Sequence, residues 1–266
     1  MKIASDIDAH ELLQLLASRH VPQCNSLLEV GSGGGDFLRK IAGKYHCPAW
    51  GVDPFAYDRS DGNIHFQALP AEKIDRIERR FELVYSVHSL HHFDSPQKFF
   101  GALQNVLAWN GVFILVDWKD GTDTGIREHY YKTREVNNWL TNYNFKIIEQ
   151  GETMENMYFV LELRDKKIAV ATADGKTVFP KMLGQAPYFD IYLKRQNFQF
   201  LERRKNIYQD TMQHLKTLDV YGDIDDCQAI LAARIGKKGT ERLQEMGVKL
   251  FFATGEIWLL LQNLED

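Results

Sequence analysis

The sequence predicts an α/β protein built in two parts, and three observations carry that prediction. Between residues 26 and 118, buried-type strands alternate with helical segments, which implies a parallel, doubly wound sheet. The first of these strands runs straight into a Gly-rich turn, Gly31-Ser32-Gly33-Gly34-Gly35. A second series of strands and helices then opens at Lys167 with a short apolar strand and an Asp174-Gly175 turn. A length of 266 residues accommodates two ordinary domains. We place them at residues 1–164 and 165–266.

The elements follow in order. Residues 6–20 put Leu12, Leu13, Leu15 and Leu16 on one helical face, and Pro22 ends that helix. Residues 26–30 form a buried strand, and the Gly-rich turn leads into a helix. Residues 49–53 are a strand, followed by a loop with Pro54 and Gly62, and residues 64–70 hold another strand with its exit turn. A short helix over 72–80, a strand over 81–87, a helix over 95–108 and a strand over 111–118 come next. The segment Ala108-Trp109-Asn110-Gly111 reads as the turn before that last strand. A helix over 133–145 precedes two strands joined only by residues 153–156. So short a link cannot make a parallel crossover, so the pair is expected to be an antiparallel hairpin.

Composition excludes several classes. Hydrophobic residues make up 44% and charged residues 26%, the balance of a globular protein with proper cores. A net charge of -4 gives no electrostatic footprint for nucleic acid or an anionic membrane. No apolar run approaches the roughly 18 residues of a membrane span, and no signal peptide is evident, so a cytoplasmic protein is expected. Cys24, Cys47 and Cys227 are scattered and form no CxxC, against a disulfide framework and against a cysteine zinc site. The sequence assigns no metal ligands.

The Gly-rich turn is where chemistry is expected. A chain leaving a strand must turn sharply while its backbone touches a ligand, and glycine allows both. Glu29, just ahead of the turn, suits a ligand carrying an ammonium group. Asp53 lies 22 positions after Gly31 (53 − 31), where a carboxylate can accept hydrogen bonds from ribose hydroxyls. A nicotinamide dinucleotide fold would show G-x-G-x-x-G or A, but the sixth position counted from Gly31 is Asp36. A carboxylate there opposes a pyrophosphate at a helix N-terminus and is harmless to a ligand without phosphate.

Glu29-Val30-Gly31-Ser32-Gly33-Gly34-Gly35, Asp53 and the closing hairpin, in this order, resemble the class I S-adenosylmethionine-dependent methyltransferases. The resemblance covers about residues 1–164. It implies a Rossmann-like sheet of seven strands with a C-terminal antiparallel hairpin, S-adenosylmethionine as cofactor, and a small-molecule acceptor. Glu29, Gly31, Ser32, Gly33, Asp53 and Pro54 match the first part of the cofactor site. Pro70-Ala71-Glu72 resembles the segment lining the adenine, which brings in Ala71 and Glu72. Ser86-Val87-His88 and Leu90-His91-His92-Phe93 resemble the segment facing cofactor and acceptor, which brings in Ser86 and Val87. A general base is required only if the acceptor holds a proton at neutral pH, and His92 and His88 are the candidates, with His91 as a packing or capping residue. Asp117, Tyr130 and Tyr131 could border the acceptor, or serve as a capping carboxylate and packed aromatics. The loop 119–132 is short, which points to an open site, a small acceptor, or a lid from the second half.

Residues 167–266 resemble a second family, the dinitrogenase iron–molybdenum cofactor-binding proteins, through KIAVATADGKTV, the later Gly184 and Ala186, Asp226-Cys227, Ala233-Arg234-Ile235-Gly236 and Gly247-Val248-Lys249-Leu250-Phe251. The resemblance implies a smaller, ribonuclease H-like α/β domain. Strands are expected over 168–172, 189–194, 198–203, 228–232 and 249–253, with helices over 210–218, 239–246 and 256–264. Met182 stands where the family carries a His, and His214 is the sole His of this half. A thioether and the lone Cys227 make a poor metal site, so the fold is carried over and a metallocluster is not. The reading is a methyltransferase whose second domain binds or senses the acceptor. Its alternative is a metallocluster carrier with methyl transfer secondary or lost.

Overall fold

The computed structural model describes residues 3–209 and 216–264. The chain divides into two compact units, Met1–Leu163 and Arg164–Asp266.

In the first unit, helix α1 (Ala9–His20) starts where Asp8 caps it, Oδ1 accepting from the backbone N–H of His10 at 2.8 Å and of Glu11 at 3.2 Å. Leu12, Leu13 and Leu16 are buried and Leu15 is half-buried. Strand β1 (Leu27–Val30) is buried along its whole length, as a central parallel strand covered on both faces must be. Then follow α2 (Asp36–Tyr45), β2 (Ala49–Asp53), β3 (Arg59–Asp61), β4 (Ile64–Ala68), a 3₁₀ segment (Ala71–Ile77) and β5 (Phe81–Val87). A 3₁₀ turn (Leu90–His92), α3 (Pro96–Val106), β6 (Leu107–Trp118), α4 (Thr133–Leu140), β7 (Phe145–Glu152) and β8 (Asn156–Leu163) complete it.

The strand order is β3-β4-β2-β1-β5-β6-β8-β7. Strands β4, β2, β1, β5 and β6 are parallel, and β8 pairs antiparallel with both β6 and β7, which is the expected closing hairpin. Apolar side chains alternate between two cores: Phe113 and Leu115 pack with Phe99, Phe100 and Leu103 of α3, while Ile114 and Val116 pack with Leu12, Leu13 and Leu16 of α1.

Two expectations are corrected. The sheet has eight strands instead of seven, because β3 pairs antiparallel with β4; its Arg-Ser-Asp residues are all exposed and leave no apolar pattern to read. The turn expected at Ala108-Trp109-Asn110-Gly111 is a fold-back within the span of β6: Phe81 pairs with Leu107 and Leu83 with Val112, so three extra residues loop out there, with Trp109 buried. Gly111 permits this crowding, since a Cβ there would lie 2.7 Å from the Ala108 nitrogen and 2.8 Å from the Phe81 oxygen. The helices expected over 72–80 and 133–145 are shorter, the first a 3₁₀ segment kinked at Lys73 and the second ending at Leu140.

The second unit contains β9 (Lys166–Thr172), a 3₁₀ turn (Leu183–Gln185), β10 (Tyr188–Lys194), β11 (Phe198–Lys205), α5 (Lys216–Gly222), β12 (Ala229–Ala232), α6 (Lys237–Glu245), β13 (Lys249–Phe252) and α7 (Ile257–Gln262). Its order is β11-β10-β9-β12-β13: an antiparallel meander, then two strands parallel to β9. The beginning of the helix expected over 210–218, including His214, lies outside the described residues. Phe189, Ile191, Ile230, Leu243, Val248 and Cys227 share its core. Asp174 builds the opening turn by accepting from the backbone N–H groups of Thr177 and Lys176, both at 2.8 Å, which hold its carboxyl down at about 2. Among the described residues no helix is long and apolar enough to cross a membrane.

Candidate functional site

The chain moves from β1 outward through β2 to β4, then returns to place β5 on the other side of β1. In an open α/β sheet the crevice beyond the strand ends at such a reversal is where ligands bind. The Gly-rich turn leaves β1 at this point, and the loop after β5 faces it.

Gly31 has φ +83°, and a Cβ there would lie 2.3 Å from Ser89 Oγ. The backbone N–H groups of Gly31 and Ser32 donate to Val52 O at 2.8 and 3.0 Å, tying the turn to β2. Asp53, the last residue of β2, completes the tie: its Oδ2 accepts from the Gly33 N–H at 3.0 Å and its Oδ1 from the Phe55 N–H at 2.9 Å. Each oxygen keeps a further lone pair for a ligand hydroxyl. Gly35 caps α2 with φ +84°, and Asp36 occupies the first turn of that helix, exposed, where a pyrophosphate would need positive surroundings.

Glu29 is buried, and its Oε2 has no hydrogen-bond partner. Burial pushes its carboxyl up to about 8, against smaller opposing pulls from the Tyr85 hydroxyl and the Leu38 amide. The hydroxyls of Ser32 and Ser86 are also buried without partners. A turn whose Cβ space is filled by Ser89, rimmed by unpaired buried polar atoms, fits a polar ligand reaching in from the crevice.

The raised Glu29 carboxyl has a consequence for stability. A group with a folded pKa above its unfolded value contributes most below the unfolded value, about 4.5, and loses that contribution as pH rises to about 8. The ligand-free protein is therefore expected to lose stability between these limits, by at most about 1.4 kcal/mol per pH unit from this group. Glu29→Gln should remove that slope. Urea midpoints measured for both proteins from pH 5 to 8 check this; parallel curves would refute it.

The remaining expected site residues are placed as follows. Pro54 is exposed, Ala71 and Val87 are buried, and Glu72 is turned to α3, its Oε1 accepting from the Ser95 N–H at 2.9 Å. Phe55 and Tyr57, next to Asp53, are 91% and 80% exposed. The sequence reading passed over both rings, although an aromatic two residues after the strand-end carboxylate was visible there.

The histidines separate clearly. His88 has φ +47°, stacks on Trp118 with centroids 3.7 Å apart, and has Nε2 2.6 Å from Asn156 Oδ1. Burial lowers its pKa, so it is neutral near pH 7. The side chain of His91 is 4% exposed, with Nδ1 2.7 Å from Oδ1 of the buried Asp117. Asp117 also accepts from the backbone N–H groups of His91 and Trp118, a capping role. The His92 side chain is 58% exposed. Tyr130 is buried and its hydroxyl donates to Glu128 at 2.9 Å, while Tyr131 packs on Trp139. Sequence reading missed Glu128, whose carboxylate lies 3.5 Å from His91 Nε2 and 4.0 Å from His92 Nδ1.

In the second unit Cys227 is fully buried in the apolar core, and Met182 is partly exposed beside Gly236.

A reversed-order parallel sheet, a Gly turn tied to a strand-end carboxylate and an antiparallel closing hairpin define a doubly wound ligand-binding fold. Residues 6–150 match the family model described as methyltransferase domain, and the chain belongs to that family. Residues 164–264 match the model described as dinitrogenase iron-molybdenum cofactor. Comparison with curated proteins finds no match. Similar solved structures include the 1,6-didemethyltoxoflavin-N1-methyltransferase of Burkholderia thailandensis, at 17% identity and TM-score 0.49, covering 59% of this chain and 79% of that one. An S-adenosylmethionine-dependent methyltransferase from Clostridium acetobutylicum is similar at 14% identity and TM-score 0.49, covering 59% and 93%. One from Aquifex aeolicus is similar at 15% identity and TM-score 0.45, covering 59% and 98%.

Proposed function

We propose that the chain transfers a methyl group from S-adenosylmethionine to a small acceptor. The observation that carries this reading is the buried, unpartnered Glu29 oxygen beneath a Gly turn that Asp53 holds in place. Bound there, S-adenosylmethionine supplies an electrophilic methyl group on a sulfonium sulfur. The chain's own residues then have definable tasks. Asp53 offers lone pairs to ribose hydroxyls while keeping the Gly33 and Phe55 amides in place. Ionised Glu29 balances an ammonium group, and Ser86 Oγ gains a polar partner. Phe55 and Tyr57 present open ring faces to a heteroaromatic base.

Displacement at a methyl carbon needs alignment of the partners and exclusion of water more than it needs acid or base. Where the acceptor carries a proton, His92 is the exposed imidazole able to take it. His88, neutral and stacked on Trp118, shapes the wall beside it. The second unit is assigned to binding or sensing the acceptor, since its one described cysteine is enclosed in apolar core and Met182 offers only a thioether.

Calorimetric titration of the purified full chain with S-adenosylmethionine tests the reading. Saturable binding of one molecule per chain is expected. Absence of binding would overturn it.

A further inference from the structure

His91, His92 and Glu128 place three ligand atoms within 4.8 Å of one another, and no other such group of histidine, cysteine and acidic side chains occurs among the described residues. We propose that these three residues bind a divalent first-row transition ion, with zinc the best match.

The argument begins with His91. Its Nδ1 faces the carboxylate of Asp117 at 2.7 Å, and a carboxylate can only accept, so that nitrogen carries the proton. Nε2 is then the atom left to bind, and it points at Glu128 Oε2, 3.5 Å away. A carboxylate orienting one imidazole nitrogen so that the other can ligate is the usual outer support of a metal-bound histidine. Asp117 is buried and its other contacts are backbone N–H groups, so the support is rigid.

Glu128 is held in the same manner. The Tyr130 hydroxyl donates to its Oε2 at 2.9 Å and is itself 2.6 Å from Thr124 Oγ1. His92 Nδ1 lies 4.0 Å from the other carboxylate oxygen, Oε1, and its exposed ring can turn inward. Ligand bonds near 2.0–2.1 Å in a tetrahedron put donor atoms about 3.4 Å apart. The 3.5 and 4.0 Å pairs use the two different oxygens of Glu128, and the three donors, all within 4.8 Å of one another, must close by up to about 1.4 Å, which a turn of the exposed His92 ring supplies.

Charge agrees with geometry. Asp117 and Glu128 bring two carboxylates to one place, which suits a divalent cation. Two imidazoles and one carboxylate suit zinc and similar ions, and disfavour magnesium and calcium, which prefer oxygen ligands. Three protein ligands leave a fourth position open. Ser89, which touches Gly31, lies two residues before His91, so the open position belongs to the same end of the sheet as the Gly-rich turn. An acceptor with an oxygen, nitrogen or thiolate donor could be oriented there, and the ion, which occupies His92, would then take over from His92 the task of favouring loss of the acceptor's proton. That last step rests on the methyl-transfer reading, while zinc binding itself does not.

The experiment is a titration of the metal-stripped full chain with zinc against a competing chelator. Cobalt absorption reports the coordination sphere, and S-adenosylmethionine binding is measured separately on the same protein. We expect one zinc per chain, with affinity at least about tenfold weaker in His92→Ala and in Glu128→Gln, and unchanged in His65→Ala and Met182→Leu. Asp117→Asn should weaken zinc about 10–100-fold. His92 is exposed, so its alanine variant keeps the fold, which circular dichroism verifies. No saturable zinc in the wild type, or zinc binding that ignores His92→Ala, would overturn the proposal. Failure to bind S-adenosylmethionine with zinc retained would sink only the methyl-transfer reading.

Discussion

Asp53→Ala is expected to weaken S-adenosylmethionine binding by about 10²–10³-fold. Two effects combine. The variant loses a charged acceptor for ribose hydroxyls, and hydrogen bonds to a charged group contribute about 1.5–3 kcal/mol each. It also releases the Gly33 and Phe55 amides, so the turn is no longer held in its binding form. Asp53→Asn separates the two. An amide oxygen can still accept from one backbone N–H but offers no charge, so its loss should be intermediate. Isothermal calorimetry on the three proteins measures this, and wild-type affinity in Asp53→Ala would show that the crevice at β1 is not the binding site.

Gly31→Ala should be strongly destabilising, as should Gly35→Ala, whose Cβ would lie 2.3 Å from the buried Phe66 ring. At Gly31 the new Cβ would sit 2.3 Å from Ser89 Oγ and 2.5 Å from Ser89 Cβ, on a backbone with φ +83°. Left-handed strain and overpacking together cost about 2–4 kcal/mol. The corresponding fall in Tm is about 5–15 °C for a unit of this size. Gly34→Ala is the matched control, because nothing lies within 4 Å of a Cβ there and its φ is not positive. Thermal melts that show equal losses for Gly31→Ala and Gly34→Ala would mean that the Ser89 contact is not what fixes the turn.

Much of the fold was readable because apolar periodicity and chain punctuation agree in this sequence. Val112 to Val116 is an unbroken apolar run, which only a strand covered on both faces requires. The hairpin was readable because so few residues join β7 to β8. Strand β3 was not, since three polar residues on a sheet edge carry no pattern. The fold-back at Trp109-Asn110-Gly111 was readable from its turn residues, and Gly111 lets it pass close to Phe81.

Site residues divide along the same physical line. Those in the turn and at the end of β2 are tied by local geometry, and spacing alone brings Asp53 near Gly33. The contact of His91 with Asp117 depends on the register that sets Val87 against Val116, which no local pattern encodes. Glu128 arrives from a loop 36 positions beyond His92 (128 − 92), and only the folded chain brings it there.

Glu29 carries one further consequence. At neutral pH an empty crevice holds its proton, because nothing nearby repays the carboxylate for leaving water. In the proposed binding mode, an arriving ammonium group changes that balance, and the proton leaves as it enters. Occupancy by the proposed ligand would thus be an ion exchange, with one positive charge released to solvent for each one taken in.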